Sequence, residues 1–268
     1  MIGRSIRLFA ALACAAAATL AHAQTSVYLE ELTSTELQAQ VRAGKTTALI
    51  PIGGTEQNGP HMVLGKHNVR VKALAGKIAA ELGNALVAPV VAYVPEGSVA
   101  PPSSHMRFAG TISVPVAAFE SVLEYAARSL RAHGFRDIVF IGDHGGYQRS
   151  EESVARRLDR EWAATPARVH ALADYYRAAE TEYPAALEAR GYAKAEVGTH
   201  AGLADTSLAM AIDPSLVRTE ALAAGRGLDA AHGVYGDPHR ASAELGRLGV
   251  DAIVRRSVES IRRATARR

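Results

Sequence analysis

The chain has 268 residues, of which 48% are hydrophobic and 21% charged, with a formal net charge of +3. That length and composition suit a globular chain with one large buried core rather than a disordered or fibrous one. Cys14 is the only cysteine, which excludes a disulfide framework and thiolate chemistry in everything that follows it.

The first residues read as a secretory signal. Arg4 and Arg7 give a positive start, Leu8 to Leu20 is an apolar run, and Ala21-His22-Ala23 is a small-x-small cleavage site before Gln24. The run is about 13 residues, short of the roughly 18–20 needed to cross a bilayer. We therefore expect cleavage after Ala23, a periplasmic or secreted protein, and no membrane association. Lipidation at Cys14 is the weaker alternative, because Ala11-Leu12-Ala13 is a poor lipidation box. No Pro/Ser-rich linker or long charge run divides residues 24–268, so one domain is expected.

Thr33 and Glu36 form a capping-box pair ahead of Leu37 and Val41, which predicts a helix over 34–43, and Thr46 to Ile52 reads as a buried strand. Asn68 to Leu82 has apolar residues at helical spacing, and Leu86 to Val94 is strand-like despite Pro89. Pro115 to His133, stopped by Gly134, predicts a helix, and Ile138 to Ile141 a short apolar strand. Further on come a helix over Glu151 to Ala163, a possible strand over Val169 to Ala173, and a helix over Tyr176 to Ala189. Arg255, Arg256, Arg262, Arg263, Arg267 and Arg268 gather at the tail. Without interleaved aromatics they read as a solvated helix end, not as a nucleic-acid surface.

Strands of four to eight residues alternating with longer helices predict an α/β fold, a mainly parallel sheet covered on both faces. Ligands of such sheets lie beyond the carboxyl ends of the strands, so the residues just after each strand deserve inspection. After the first strand, Pro51 to Gly65 holds four glycines and two prolines, with Glu56, Asn58 and His61 inside and His67 just beyond. A loop folded that tightly suits a grip on a ligand, although Glu56 as a turn cap and surface histidines would explain it as well. After the third strand comes Gly142-Asp143-His144-Gly145-Gly146-Tyr147, and later Gly198-Thr199-His200-Ala201-Gly202-Leu203-Ala204-Asp205. Asp205 is either a site residue or an N-cap of the apolar helix it opens.

Five segments in the same order resemble the creatininase family. Pro51–His67 is similar to its Pro-x-Gly-Ser-x-Glu-Gln-His-Gly-Pro-His-Leu-Pro loop with a following Asp. Ile141–Tyr147 is similar to its Asn-Gly-His-Gly-Gly-Asn segment, and His200–Ser207 to its His-Ala-Gly-x-x-Glu-Thr-Ser. Ser104–Thr111 and Gly233–Pro238 match further segments. The resemblance implies a three-layer α/β/α sandwich, a homo-oligomer (a hexamer), and hydrolysis of non-peptide C–N bonds with divalent metals. It places Glu56 and His144 on metal ligands and His200 on a proton-moving histidine.

Four positions depart from that pattern: Asn58 stands where the family has a ligand histidine, His67 where it has a bridging aspartate, Gly146 at a glutamate position of creatininase itself, and Asp205 for a glutamate. An imidazole cannot bridge two ions closely, so the expected centre is one ion held by Glu56, His67 and His144, Zn²⁺ before Mn²⁺ or Fe²⁺. A metal would lower the pKa of a water to about 7 and polarise an amide carbonyl. Asp205 or Asp143 would orient the water, and His200 would protonate the departing nitrogen. Asn58, His61, His105 and Tyr147 are expected to contact substrate or support the ligands. A non-catalytic metal or small-ligand binder on the same fold is the competing reading.

Overall fold

The computed structural model describes residues 26–266, so the expected signal segment and Cys14 lie outside the described residues. Four parallel strands form its sheet in the order β2-β1-β3-β4: β1 Thr47–Ile52, β2 Ala85–Val87, β3 Asp137–Gly142 and β4 Arg168–Ala171. β1 lies at the centre, with Leu49 paired to Val87 on one side and to Val139 on the other.

The period of two along each strand sorts the core into two halves. Leu49, Val139 and Ile141 point to one face and pack with Leu74, Ile78, Tyr175, Ile253 and Ile261. Ala48, Ile50, Ile52, Ile138 and Phe140 point to the other and pack with Phe119, Leu123, Val154, Leu158 and Trp162. Every residue of β1 and β3 is buried, as expected for a parallel sheet covered twice. The result is the three-layer α/β/α sandwich anticipated above.

In chain order the helices are α1 Ser34–Arg42, α2 Lys66–Leu82, α3 Val116–Ala132, α4 Gln148–Glu161, α5 Ala173–Arg177, α6 Tyr183–Glu188, α7 Lys194–Val197, α8 Leu203–Ile212, α9 Thr219–Ala224 and α10 Ala243–Thr265. Thr33 does close a capping box with Glu36 at the start of α1. Helices α2, α5, α8 and α10 cover the first face, and α3 and α4 the second. A third apolar cluster around Met62, Leu216, Val217 and Val234 sits beneath the long loops.

Three expectations are revised. The strand expected over Leu86–Val94 ends at Val87 and continues as irregular chain that still meets β1 through Ala88 and at the Ile52–Val91 bridge; Pro89 has no N–H to give a ladder. Helix α2 begins at Lys66, not Asn68, which puts His67 in its first turn instead of in the loop. The helix expected over Tyr176–Ala189 is broken at Ala178–Glu182 by a π-helical turn, a distortion that often marks a functional site.

Candidate metal centre

Three loops beyond the carboxyl ends of the strands build the centre. The loop after β1 folds back on itself: the Glu56 N–H donates to Leu64 O at 3.1 Å, and the Asn58 amide donates to Glu56 O at 2.9 Å and Val63 O at 3.0 Å. That closure buries the Glu56 side chain completely. His144 follows β3 directly, and the Gly146 N–H donates to its Nδ1 at 3.2 Å. His105 sits on a short 3-10 turn, Ser104–Arg107.

One donor atom from each of Glu56, His105 and His144 lies within 4.8 Å of the other two. Glu56 Oε2 is 3.2 Å from His105 Nδ1 and 3.7 Å from His144 Nε2, yet it is buried with no hydrogen-bond partner. Burial pushes the Glu56 carboxyl up, but the hydrogen bond and charge of His67, helped by His144 and Lys66, hold it below the usual carboxylate range. Burial lowers His144 to about 4 and lowers His105 as well, against the pull of Glu56. Two neutral imidazoles and one ionised carboxylate, with an orphaned oxygen among them, are a donor set that fits a divalent transition metal.

His67, expected as a ligand, is placed differently from His105. Its Nε2 lies 2.7 Å from Glu56 Oε1 and its Nδ1 2.6 Å from Asp143 Oδ2, so both ring nitrogens face carboxylates. It thereby leads into a second cluster. Asp143 Oδ2 also accepts from Arg70 Nε at 2.8 Å, and Asp143 Oδ1 from the Tyr175 hydroxyl at 2.6 Å. Arg70 Nη1 donates to Asp205 Oδ1 at 2.6 Å, and Lys66 Nζ and the Ala201 N–H reach Asp205 Oδ2. Burial opposes charge on both aspartates, yet Arg70 with His67 holds Asp143 low, and Lys66 with Arg70 holds Asp205 well below the ordinary value. Both aspartates, expected to orient a water, are thus saturated by cations and N–H groups, and Asp205 also closes the first turn of α8.

A cavity of about 410 Å³ opens against the centre, lined by His67, His105, His144, Tyr176, Glu180 and His200 among others. Its size suits a small molecule or the end of a larger one. His200 holds its Nε2 3.0 Å from Gln57 O and its Nδ1 3.7 Å from Glu56 Oε1. Burial, then the Lys66 charge, lowers it to about 3. Asn58, His61 and Tyr147 do not reach the cavity. His61 is tied to Thr206 Oγ1 at 3.0 Å, and burial lowers it to about 4. The Tyr147 hydroxyl donates toward the Ile52 and Gly53 carbonyls and accepts from the Asp143 N–H at 3.1 Å. These three hold the loops in place and do not line the cavity.

Several members were not singled out from the sequence. Lys66 and Arg70 share a face of α2 with His67, a helical spacing legible only once the helix start is known. Gln57 Nε2 lies 3.2 Å from both His105 Nδ1 and His200 Nε2, joining the two rings. Glu96 is buried after the β2 segment; burial, then the charge of Glu56, pushes its carboxyl up to about 9. It follows a strand-like stretch, which is the one signal that pointed to it.

A buried carboxylate and two histidines gathered beyond the strand ends of an α/β/α sandwich are a donor set of the kind that metal-dependent hydrolases use. The chain belongs to the creatininase family, whose family model, described as creatinine amidohydrolase, matches residues 30–261. It is 29% identical over 233 residues to a mycofactocin precursor peptide peptidase of Mycolicibacterium smegmatis, covering 79% of this chain and 83% of that protein. It is 28% identical over 197 residues to creatinine amidohydrolase of Pseudomonas putida, covering 72% and 74%. A solved structure titled "Creatininase Mn" superimposes with a TM-score of 0.72 at 26% identity, covering 90% of this chain and 99% of that one. A mutant creatininase of Zn–Zn type superimposes with a TM-score of 0.70, also at 26% identity.

Proposed function

We propose that this protein is a metal-dependent hydrolase that cleaves a non-peptide C–N bond, an amide or cyclic amide, in a small molecule. The observation that carries the reading is the trio of Glu56, His105 and His144, in which both histidines line the cavity and the buried Glu56 Oε2 lacks a hydrogen-bond partner. Glu56 and His144 would hold the ion, with His105 as third ligand in place of the expected His67. One ion is favoured over two, because Asn58 is committed to the loop backbone and His67 to two carboxylates. Zn²⁺ leads, with Mn²⁺ or Fe²⁺ as alternatives.

A divalent cation at this place supplies the Lewis acidity that polarises an amide carbonyl and acidifies a water. The chain supplies the rest. His200 is neutral at pH 7 and presents Nδ1 toward Glu56, so it can take a proton from the attacking water and return it to the departing nitrogen. His67 anchors Glu56 Oε1 and is itself anchored by Asp143, which fixes the carboxylate before substrate arrives. Export after cleavage at Ala23 and a homo-oligomer, a hexamer by family resemblance, belong to the same proposal. Val122 and Tyr125, three residues apart on α3 and exposed, support an oligomeric contact.

The test is metal content per chain followed by hydrolysis of a panel of cyclic amides, linear amides and short peptides. The expected result is one ion per chain and amide turnover that is lost on chelation and restored by Zn²⁺ or Mn²⁺. Stoichiometric metal with no turnover under any ion would favour a non-catalytic metal or small-ligand binder on this fold. Turnover of peptides alone would move the substrate toward that named for the mycobacterial relative.

A further inference from the structure

The cavity that opens against the metal centre carries charged side chains of two kinds along its wall. Lys66, Arg70, Asp143 and Asp205 are spent on one another. Glu188 and Lys194 add one charge of each sign, and Glu180 adds a further negative one. Glu180 sits on the π-helical turn Ala178–Glu182, and among the described residues no cation forms an ion pair with it. Its carboxyl shares a side-chain hydrogen bond with Tyr176, one helical turn earlier. Burial, then the charge of Asp205, pushes the Glu180 carboxyl up, and Arg70 with that hydrogen bond pulls only part of the way back. The protein thus leaves this charge undercompensated.

Tyr176 joins Glu180 to the centre. Its ring lines the cavity, and a Cβ at Gly145 would come within 2.7 Å of its hydroxyl, so the ring tip lies against the loop that carries His144. Having no Cβ, Gly145 keeps that approach open. The π-helical turn shifts the register between the helices on either side of it. Tyr183, just beyond the turn, is buried with its hydroxyl donating to Ala204 O at 3.2 Å, while Glu180 stays exposed to the cavity. An aromatic ring beside a carboxylate that lacks an ion pair supplies the two elements that recognise an organic cation.

We propose that Glu180, with the Tyr176 ring beside it, binds a positively charged group of the substrate, so that the cavity takes a small amide carrying a protonated amine or guanidinium. This rests on the metal-hydrolase reading above and adds the substrate's charge to it. A neutral or anionic amide of the same length leaves Glu180 facing an apolar or negative group, a difference read in KM.

The test compares amides matched in length and different in charge: γ-aminobutyramide and ε-aminocaproamide against their neutral isosteres valeramide and heptanamide, with glutaramate as the anion. Binding to the metal-free full chain is measured by calorimetry, and hydrolysis with the metal-loaded protein. Wild type is expected to favour a cationic amide over its isostere by about 10-fold in Kd and in kcat/KM. Glu180→Gln should abolish that preference through KM, and Glu180→Lys should turn it toward glutaramate, a switch that a folding defect does not produce. Equal handling of each cationic and neutral pair, including failure to bind either, overturns the inference. So does a preference for the cation that Glu180→Gln leaves in place. Charge-dependent binding without hydrolysis under any ion removes the hydrolase reading while the cation subsite stands.

Discussion

Two clusters of buried charge lie side by side beyond the strand ends, and they are built in opposite ways. In the one around Asp143 and Asp205, each carboxylate is met by Arg70, Lys66, His67, Tyr175 or a backbone N–H, and little is left to bind. In the one around Glu56, the Oε2 oxygen is buried without a hydrogen-bond partner and the neighbouring groups are imidazoles lowered toward neutrality. Saturation makes the first cluster a support, and the missing partner at Glu56 Oε2 leaves the second able to accept a cation, as the proposed function requires. His67 belongs to both, with one nitrogen on each.

The largest effect is expected from breaking the saturated cluster. Arg70→Met leaves Asp143 and Asp205 short of their shared cation and should cost about 3–5 kcal/mol, read as a drop in the urea midpoint. A loss below 1 kcal/mol would mean that the support is not ionic. The bare cluster should respond to metal instead. His144→Ala is expected to reduce amide turnover at least about 100-fold, about 2.7 kcal/mol in the barrier, while changing metal-free stability by only about 1 kcal/mol. Equal damage to the metal-free fold would erase the distinction between the clusters.

Metal removal sharpens the same contrast. At ion concentrations near 100 times Kd, binding adds about 2.7 kcal/mol to stability, so chelation should lower the unfolding temperature of wild type and leave that of His144→Ala almost unmoved. Acid should act on the saturated cluster. Asp143 and Asp205 are held below their ordinary values when folded, so the stability they confer is present above about pH 4 and is lost as pH falls from there through their folded values. A denaturation series from pH 6 to pH 2 should show that fall, and Arg70→Met should flatten it.

The smallest effect is expected at Glu151, a control for buried carboxyls without a cation. Burial, then the Glu152 charge, pushes it well above its ordinary value, and neither oxygen has a partner. A raised carboxyl contributes stability below its unfolded value near 4.3 and loses it as pH rises. Glu151→Gln should therefore stabilise the protein by about 1 kcal/mol at pH 7–8 and do nothing at pH 4; destabilisation at pH 7 would reveal an unseen partner.

Much of the fold was legible because periodicity and capping are local. The buried runs of β1 and β3, the capping box of Thr33 and Glu36, and the Pro115-to-Gly134 helix appear nearly where local rules put them. Errors came where local signals were weak: α2 starts after Gly65, which offers no side-chain cap, so its first turn read as loop. Glu56 and His144 stood out because each directly follows a strand within a glycine-rich turn. Glu96 did not, and His105 was expected as a supporting residue and not as a ligand, because both lie on irregular chain held by contacts with β1 and the loop after it.

From residue order alone followed the alternation of strands and helices, the family resemblance, and the stock of carboxylates and imidazoles available to a metal. Which of those groups meet, and which are already spoken for, was decided only in three dimensions. His67 and His105 are both histidines near glycine turns, and nothing local separates them. Carboxylates such as that of Asp143, distant in the chain, occupy the nitrogens of one, while the other is left facing the unpartnered Oε2 of Glu56, and partner choice of that kind is a property of packing and not of any segment.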